Sequence, residues 1–351
     1  MSRPALSSHS GPRTSLHRRL TAVAAAAATS LLLLAGTTPA SAQSIDPDVG
    51  LSSDLSSVET QVPFEGALPV RFDLRAGISA GINPEIAPPG ANDWSCKPTP
   101  EHPRPVVLIN PTLTTQALAW QAGSPFLKNN GYCVFTFNYG NVTPVAGAPF
   151  QALGDIPESA QKLSDVVDNV LAATGAEQVD LVGHSQGGGI LPDYYLSQLG
   201  GAEKVHTKVA ISPSTGTTLS EIMWLRSLIP VLGPFVWGSL DMNSSALTQQ
   251  TLDSPVRLQV YPHGTVAVPG VQYYSIVSEY DEVVTPFTNQ YYSGDNAVNI
   301  HLQDGCPADL SEHVSTMYSE RAWLHVRNAL DPEHAQPVPC FRVAPFIPTV
   351  T

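Results

Sequence analysis

One stretch of the chain constrains its fold more than any other. The apolar residues 179–182 lead into Gly183-His184-Ser185-Gln186-Gly187, and a helix-compatible segment follows. This is the G-x-S-x-G pattern of a nucleophile elbow, in which a strand turns sharply into a helix and lifts a serine oxygen above the edge of a sheet. Gly183 and Gly187 have no Cβ, so strand and helix can approach closely around a strained serine. We therefore expect Ser185 to be a nucleophile and the side chain of His184 to point away from it.

Strands and helices alternate along the chain on both sides of this motif. The predicted strands are residues 106–109, 133–138, 179–182, 205–211, 271–277 and 298–302, and the predicted helices are residues 115–128, 157–174, 187–199 and 314–330. Alternation of this kind is typical of an α/β fold with a mostly parallel, wound sheet that binds ligands at the carboxyl ends of its strands. Because no repeat or low-complexity linker follows residue 65, we predict a single domain over residues 96–351.

The first 42 residues have the pattern of a secretory signal. They contain four arginines and no acidic residue, continue through apolar runs and end in Ala40-Ser41-Ala42. This predicts cleavage before Gln43 and an extracellular protein, by either the general or the twin-arginine export route. The apolar run is too short to predict a membrane-spanning helix. Residues 43–95, rich in Ser, Pro and Gly, are predicted to form an extended arm over the core.

The charge balance excludes some classes of partner. The sequence has 17 Lys and Arg against 30 Asp and Glu, for a formal net charge of −13 at pH 7. Loss of the arginines in the predicted signal makes the mature chain more acidic still. Because an acidic surface repels nucleic acid and anionic membranes, we expect neither as a partner.

The four cysteines, Cys96, Cys133, Cys306 and Cys340, suit two disulfide bonds in an exported protein, and three pairings are open. Cys96 precedes the first predicted strand and Cys133 lies in the second, so neighbouring strands would bring these two together. Cys306 and Cys340 would then tie the C-terminal tail across the last helix. Because the cysteines lack C-x-x-C spacing, we expect no metal site. Chemistry at a serine nucleophile needs no cofactor, so none is expected.

A serine hydroxyl becomes a good nucleophile only when a base takes its proton and an acid orients that base. In folds with this elbow the acid and the histidine follow the serine in that order. Asp281 comes directly after predicted strand 271–277, where a turn would aim it at Ser185, and Glu279 and Glu282 are the alternatives. Asp193 lies in the helix after the elbow, too close in sequence to oppose the serine. We therefore expect Asp281 to be the acid.

His313 is the expected base. It lies in the loop between the last predicted strand and the closing helix. Of the other histidines after residue 281, His301 lies in a strand, His325 lies within a helix and His334 lies in the tail. The loop position suits a general base that must reach a serine at the carboxyl end of the sheet.

Attack on an ester carbonyl creates an oxyanion, which requires backbone N–H donors that are already in place. One donor should be the amide of Gln186, which follows the serine. The other should come from the loop after the first strand. There Pro111 has no N–H, so Thr112 offers the first amide, and its hydroxyl is a second possible donor.

An apolar insertion, residues 214–257, separates the elbow region from the strand before Asp281. Its large apolar side chains include Trp224, Leu225, Phe235 and Trp237. One interpretation is a cap whose side chains contact an acyl chain, and the alternative is ordinary core packing. The segment is too short and interrupted to span a bilayer.

Several blocks of sequence resemble secreted actinobacterial triacylglycerol lipases and esterases of the α/β-hydrolase superfamily, and more distantly the yeast lipase B type. The blocks are Asn-Asp-Trp-Ser-Cys-Lys-Pro (92–98), Gly-Tyr-Cys-Val-Phe (131–135), Val-Asp-Leu-Val-Gly-His-Ser-Gln-Gly-Gly (179–188), Leu-Gly-Gly-Ala-Glu-Lys-Val-His (199–206) and Tyr-Asp-Glu-Val-Val-Thr-Pro (280–286). Together they span roughly residues 90–340, and several blocks are far more specific than one pentapeptide.

The resemblance implies an α/β-hydrolase fold with Ser185, Asp281 and His313 as the catalytic triad. It also implies Thr112 and Gln186 as the oxyanion hole, and the Cys96–Cys133 disulfide. The chain departs from the family after the first strand, where members usually have His-Gly and this sequence has Asn110-Pro111. Since proline fixes φ and removes a donor, the oxyanion hole is the part of the site that this change affects.

The sequence therefore predicts a secreted carboxylic ester hydrolase, a lipase or esterase that acts on acylglycerols through an acyl-enzyme. The alternatives are an acyltransferase or a polyester hydrolase with the same triad, or a binding protein that keeps the fold without the reaction. We expect a monomer whose partner is an ester or lipid substrate, with transient contact at a lipid interface.

Overall fold

A parallel sheet runs through the part of the chain that the structure, a computed structural model, describes: residues 66–142, 150–217 and 244–345. Its strands are β1 (Val106–Ile109), β2 (Val134–Thr136), β3 (Val179–His184), β4 (Val205–Ile211), β5 (Gln272–Val277) and β6 (Ala297–His301). They lie in the order β2-β1-β3-β4-β5-β6, and each neighbouring pair is parallel. The predicted α/β fold with a parallel sheet is confirmed. Each predicted strand is present, with ends that differ by at most two residues.

The helices connect and cover these strands. They are α1 (Leu74–Ala80), α2 (Gln116–Ala119), α3 (Gly123–Asn129), α4 (Ile156–Thr174), α5 (Ile190–Gln198), α6 (Ser245–Gln249), α7 (Pro255–Val260) and α8 (Glu320–Leu330). Short 3-10 turns lie at Ser185–Gly187, Gly201–Glu203, Phe287–Gln290, Ser315–Tyr318 and Pro332–His334. All described residues belong to one compact unit, Leu55–Thr351.

Side-chain alternation along β1 shows how the sheet divides the core. Val106 and Leu108 belong to one apolar cluster, which includes Trp323 of α8. Val107 and Ile109 belong to a second cluster, which includes the buried side chains of α4 and α5. Because successive side chains of a strand point to opposite faces, a fully apolar strand such as β1 must be covered on both sides.

Helix α4 has clear start and stop signals. The side chain of Asp155 accepts a hydrogen bond from the backbone N–H of Glu158, Pro157 occupies the first turn, and Gly175 ends the helix in the left-handed conformation at φ 78°. These are the features that a helix terminus favours at each end. The prediction of a helix over residues 157–174 is confirmed.

Three other predicted helices are each interrupted in the structure. Residues 115–128 form α2 and α3, because the backbone leaves helical geometry at Trp120, with φ −116° and ψ 22°. The segment after the elbow is a 3-10 turn followed by α5, because Gly189 has φ −112° and ψ −113°. The predicted helix 314–330 is likewise a 3-10 turn followed by α8. There Ser319, at φ −75° and ψ 118°, interrupts the helix and caps the N–H of Ala322.

Several predictions fall wholly or partly outside the described residues. The predicted signal, residues 1–42, and the first part of the predicted arm lie outside them. The described part of that arm contains the helix α1, whose first turn is capped by the side chain of Asp73. The predicted insertion 214–257 is described only at its two ends, residues 214–217 and 244–257.

Two disulfide bonds lie near the two edge strands of the sheet, β2 and β6. Cys96 pairs with Cys133, just before β2, and Cys306 pairs with Cys340. The second bond joins the loop after β6 to the C-terminal tail, beyond α8. The pairing is the one expected from the sequence.

A buried ion pair lies between α5 and the sheet. The amino group of Lys208 on β4 is 2.5 Å from Asp193 Oδ1, and both side chains are almost completely buried. The hydroxyls of Tyr261 and Tyr292 each donate to Asp193 Oδ2 at 2.6 Å. Burial lowers the pKa of Lys208 to about 8, against the opposing effect of Asp193.

We expect Asp193→Ala to destabilise the fold by about 3–5 kcal/mol, because it leaves the buried ammonium of Lys208 without its counter-ion and three buried tyrosine hydroxyls, of Tyr261, Tyr273 and Tyr292, without their acceptor. Asp168→Ala is the matched control, since it breaks an ion pair with Lys204 at the surface. Its expected cost is below about 1 kcal/mol. Urea denaturation of both variants measures the difference. Equal losses would contradict the assignment of Asp193 as the buried counter-ion.

Candidate active site

Ser185 lies at the sharp turn between β3 and the following 3-10 turn. Its φ is +54°, a left-handed conformation that is rare for a residue with a side chain. The turn requires close backbone contacts on both sides. A Cβ on Gly183 would lie 1.8 Å from the carbonyl oxygen of Gly187, and a Cβ on Gly187 would lie 2.2 Å from that of Ile109. The two glycines of the motif therefore permit the turn that presents the serine.

The imidazole of His313 lies between Ser185 and Asp281. Its Nε2 is 3.0 Å from Ser185 Oγ, and its Nδ1 is 2.6 Å from Asp281 Oδ2. When Nδ1–H donates to the carboxylate, Nε2 has a free lone pair and accepts from the serine hydroxyl. All three side chains are buried, with Ser185 6%, Asp281 5% and His313 3% exposed. The structure thus brings together the three residues that the sequence selected.

Asp281 follows β5 and is fixed by the turn that contains it. Its Oδ1 accepts hydrogen bonds from the backbone N–H groups of Val283 and Val284, both at 2.9 Å. Burial alone would raise the pKa of Asp281, but His313 and these hydrogen bonds lower it below its ordinary value. Of the two alternatives, Glu279 has a 41% exposed side chain, and Glu282 contacts the backbone of His313 instead of its ring.

His184 contributes to the site in a way that the sequence did not predict. Its Nε2 lies 2.7 Å from the carbonyl oxygen of His313 and 3.2 Å from Thr316 Oγ1. Burial and the neighbouring His313 lower the pKa of His184 to about 3, so the ring is neutral at pH 7. A neutral ring with its proton on Nε2 donates to that carbonyl. His184 therefore holds the backbone of His313 in place.

The loop that carries His313 is fixed at its start by a buried ion pair. Arg321 of α8 donates to Asp309 Oδ2 at 2.7 Å and to the carbonyl oxygen of Leu302, also at 2.7 Å. The other oxygen of Asp309 accepts the backbone N–H of Ser311 at 3.1 Å. Together with the Cys306–Cys340 disulfide, these bonds connect the loop to both β6 and α8.

Two glutamates lie beside His313, and this pairing was not expected from the sequence. Glu312 Oε2 accepts the backbone N–H of Val314 at 2.6 Å. Glu282 Oε2 lies 3.4 Å from the backbone nitrogen of His313. Burial and the charge of Glu312 raise the pKa of Glu282 to about 7. The signal that could have indicated this pair is that Glu282 is next to Asp281 in sequence and Glu312 is next to His313.

These carboxylates influence the protonation of His313. Burial alone would lower the pKa of His313, since it disfavours the charged ring. The charge and hydrogen bond of Asp281, together with the charges of Glu282 and Glu312, outweigh burial and raise that pKa above its ordinary value. The site therefore favours the imidazolium that forms when the ring takes a proton from the serine.

The predicted oxyanion donors lie next to each other. The hydroxyl of Thr112 donates to Gln186 Oε1 at 3.0 Å, so the loop after β1 contacts the residue after the serine. Among the described residues, the backbone N–H groups of Thr112 and Gln186 have no acceptor. Both amides therefore remain available to a ligand.

The Asn110-Pro111 pair shapes this loop. Asn110 is completely buried, and its Nδ2 donates to the carbonyl oxygen of Thr114 at 2.9 Å. The hydroxyl of Tyr139 donates to the carbonyl oxygen of Asn110 at 2.5 Å. Leu113 takes a left-handed conformation at φ 66°. The loop is thus held from within and by Tyr139, which follows β2.

The four predicted cap residues, Trp224, Leu225, Phe235 and Trp237, lie outside the described residues. In residues 66–142, 150–217 and 244–345, no group of three His, Cys, Asp or Glu side chains is arranged to hold a metal ion. No helix in those three ranges is long and apolar enough to cross a membrane.

Comparisons with known proteins agree with this architecture. A family model described as alpha/beta hydrolase fold matches residues 105–244. The structure is similar to that of Aspergillus fumigatus lipase B, with a TM-score of 0.51 and 21% sequence identity over 72% of this chain. The match covers 57% of that lipase, so the chain spans less than two thirds of its length.

Two bacterial structures are less similar. Bacillus licheniformis lipase BlEst2 in its mature form has a TM-score of 0.44 and 15% identity, over 66% of this chain and 94% of that one. Carboxylesterase CesB from Bacillus subtilis has a TM-score of 0.42 and 14% identity, over 67% and 86%. No curated protein sequence matches the chain. The sheet order, the elbow and the family match together show that this protein has the α/β-hydrolase fold.

Proposed function

We propose that the protein is a secreted serine hydrolase that cleaves carboxylic esters through an acyl-enzyme. The observation that carries the proposal is the continuous hydrogen-bonded chain from Ser185 Oγ through His313 to Asp281, with distances of 3.0 Å and 2.6 Å. Acyl transfer requires a serine hydroxyl, a neutral histidine that takes its proton and an ionised acid that stabilises the resulting imidazolium, arranged in this order.

The reaction follows from that geometry. His313 Nε2 takes the hydroxyl proton of Ser185 as the oxygen attacks the ester carbonyl. The buried carboxylate of Asp281 stabilises the imidazolium, and the amides of Thr112 and Gln186 donate to the oxyanion. His313 then gives its proton to the leaving alcohol. Water attacks the acyl-enzyme with the same base and releases the acid.

Acylglycerols are the proposed substrates. The support is the sequence resemblance to triacylglycerol lipases and the fold shared with a protein named as a lipase. The apolar residues Trp224, Leu225, Phe235 and Trp237 of the insertion would contact the acyl chain. A series of p-nitrophenyl esters from acetate to decanoate tests this assignment. A preference for acetate would favour a soluble-ester hydrolase instead.

Ser185→Ala should abolish turnover of p-nitrophenyl esters and labelling by a fluorophosphonate, because both require the serine oxygen. Ser197→Ala is the control, since Ser197 bonds the carbonyl oxygen of Asp193 in α5, away from His313. The control variant should label and hydrolyse normally. Retained turnover by a folded Ser185→Ala protein would exclude the proposed nucleophile.

The pH profile should show the influence of the glutamates. The pKa of His313 is raised, so activity should be lost on acidification at a pH above the ordinary histidine value of about 6.5. Glu282→Gln removes a carboxyl group that, with a pKa of about 7, is partly ionised in the acid limb and there stabilises the imidazolium. The pKa of His313 should then fall, and the acid limb of kcat/KM should move to lower pH.

Glu279→Gln is the matched control for this experiment. Glu279 lies in the same loop with an exposed side chain, where water screens its charge. The acid limb of the Glu279→Gln variant should shift by no more than about 0.2 pH units from that of the parent, because the charge removed is screened. An unchanged limb in Glu282→Gln, with an unchanged melting temperature, would contradict the role given to that carboxylate.

A further inference from the structure

Gln250 is a buried side chain beside the predicted oxyanion donors, and nothing in the mechanism so far uses it. It follows α6 directly and is 4% exposed. Its backbone oxygen accepts the N–H of Thr217 at 3.1 Å. Both its main chain and its side chain are therefore fixed.

The side-chain amide of Gln250 contacts both sides of the predicted oxyanion hole. Its Nε2 lies 2.9 Å from Gln186 Oε1, 3.2 Å from Thr112 Oγ1 and 3.0 Å from the carbonyl oxygen of Ala246. Its Oε1 lies 3.5 Å from Thr112 Oγ1, at the limit of a hydrogen bond. The amide thus supplies two hydrogens to three acceptors.

The hydroxyl of Thr112 has one hydrogen, and in this structure it is directed to Gln186 Oε1 at 3.0 Å. To stabilise an oxyanion, that hydrogen must leave Gln186. Gln186 is completely buried, and a buried acceptor that loses its donor is costly. The Nε2 of Gln250 is already within 2.9 Å of the same oxygen and removes this cost.

The other end of the Gln186 side chain is also held. Its Nε2 lies 3.4 Å from the hydroxyl of Tyr139, which in turn donates to the carbonyl oxygen of Asn110. Gln186 therefore keeps its position from both ends when the Thr112 hydroxyl turns away. Its backbone N–H, the other oxyanion donor, stays where it is needed.

We propose that Gln250 is a positioning residue of the oxyanion hole: it keeps Gln186 satisfied so that the Thr112 hydroxyl can turn to the developing oxyanion. The proposal rests on the ester hydrolysis proposed above. It assigns to Gln250 an effect on the transition state and little effect on substrate binding in the ground state.

Gln250→Leu tests the proposal, because it keeps a side chain of similar size without the donor. Removal of a direct oxyanion donor lowers kcat by about 10²–10³, so we expect an indirect loss of roughly tenfold, with KM nearly unchanged. Gln259→Leu is the control, since Gln259 bonds Gln198 at the surface. It should leave both kinetic parameters unchanged.

A double-variant experiment separates this role from a structural one. Thr112→Val removes the hydroxyl without a change of shape. In that background Gln250→Leu should cost much less than it does in the parent, because the hydroxyl that Gln250 releases is gone. An undiminished loss would show that Gln250 does not act through the Thr112 hydroxyl and would overturn the proposal.

The outcomes distinguish this inference from the proposed function. A parent chain without ester turnover contradicts the proposed function itself. An active parent with an equally active Gln250→Leu variant contradicts the inference alone. If Gln250→Leu does not fold, Gln250→Met keeps an unbranched side chain of similar length without a donor or a charge, and it should show the same loss of kcat.

Discussion

The close approach of backbone segments around Ser185 is the constraint on which the rest of the site depends. β3, the 3-10 turn after it and the end of β1 meet where Gly183 and Gly187 have no Cβ. A Cβ on Gly189 would likewise lie 2.2 Å from the carbonyl oxygen of Ser214. Because β3 lies between β1 and β4, this contact places the loops after both neighbouring strands beside the serine. The fold thus holds a strained residue by packing, at a cost of order 1–3 kcal/mol.

The electrostatics of the site favour one positive charge, on His313. Asp281 is stabilised by two backbone N–H groups, and Glu312 by the N–H of Val314. These N–H groups stabilise the negative charge of both carboxylates. His184, only 5.1 Å from His313 between ring centroids, is kept neutral by burial. A second charged imidazole there would repel the imidazolium that the reaction forms, so the neutrality of His184 supports the base as much as its hydrogen bond does.

Local signals in the sequence were sufficient for the strands, for α4 and for the candidate triad. The elbow and the chain order pointed to Ser185, Asp281 and His313, and the structure brings these three together. No comparable signal in the sequence indicates the helix interruptions at Trp120 and Ser319, because serine and tryptophan also occur within helices. Gln250 was missed for a different reason. It lies 64 residues from Gln186, and only the folded chain shows that a polar side chain there faces the site.

The Asn110-Pro111 pair shows how a departure from the family pattern is accommodated. Proline restricts the backbone and offers no donor, so the loop must place the amide of Thr112 by other means. Asn110 closes the loop onto Thr114, and Tyr139 fixes its carbonyl oxygen. The loop therefore loses little freedom when a ligand binds. Donors that are already in place need no reorganisation as charge develops, which is the property that makes an oxyanion hole effective. The stiffness that Pro111 adds is therefore compatible with catalysis. It lowers the conformational freedom that the loop must lose when the amide of Thr112 donates to an oxyanion.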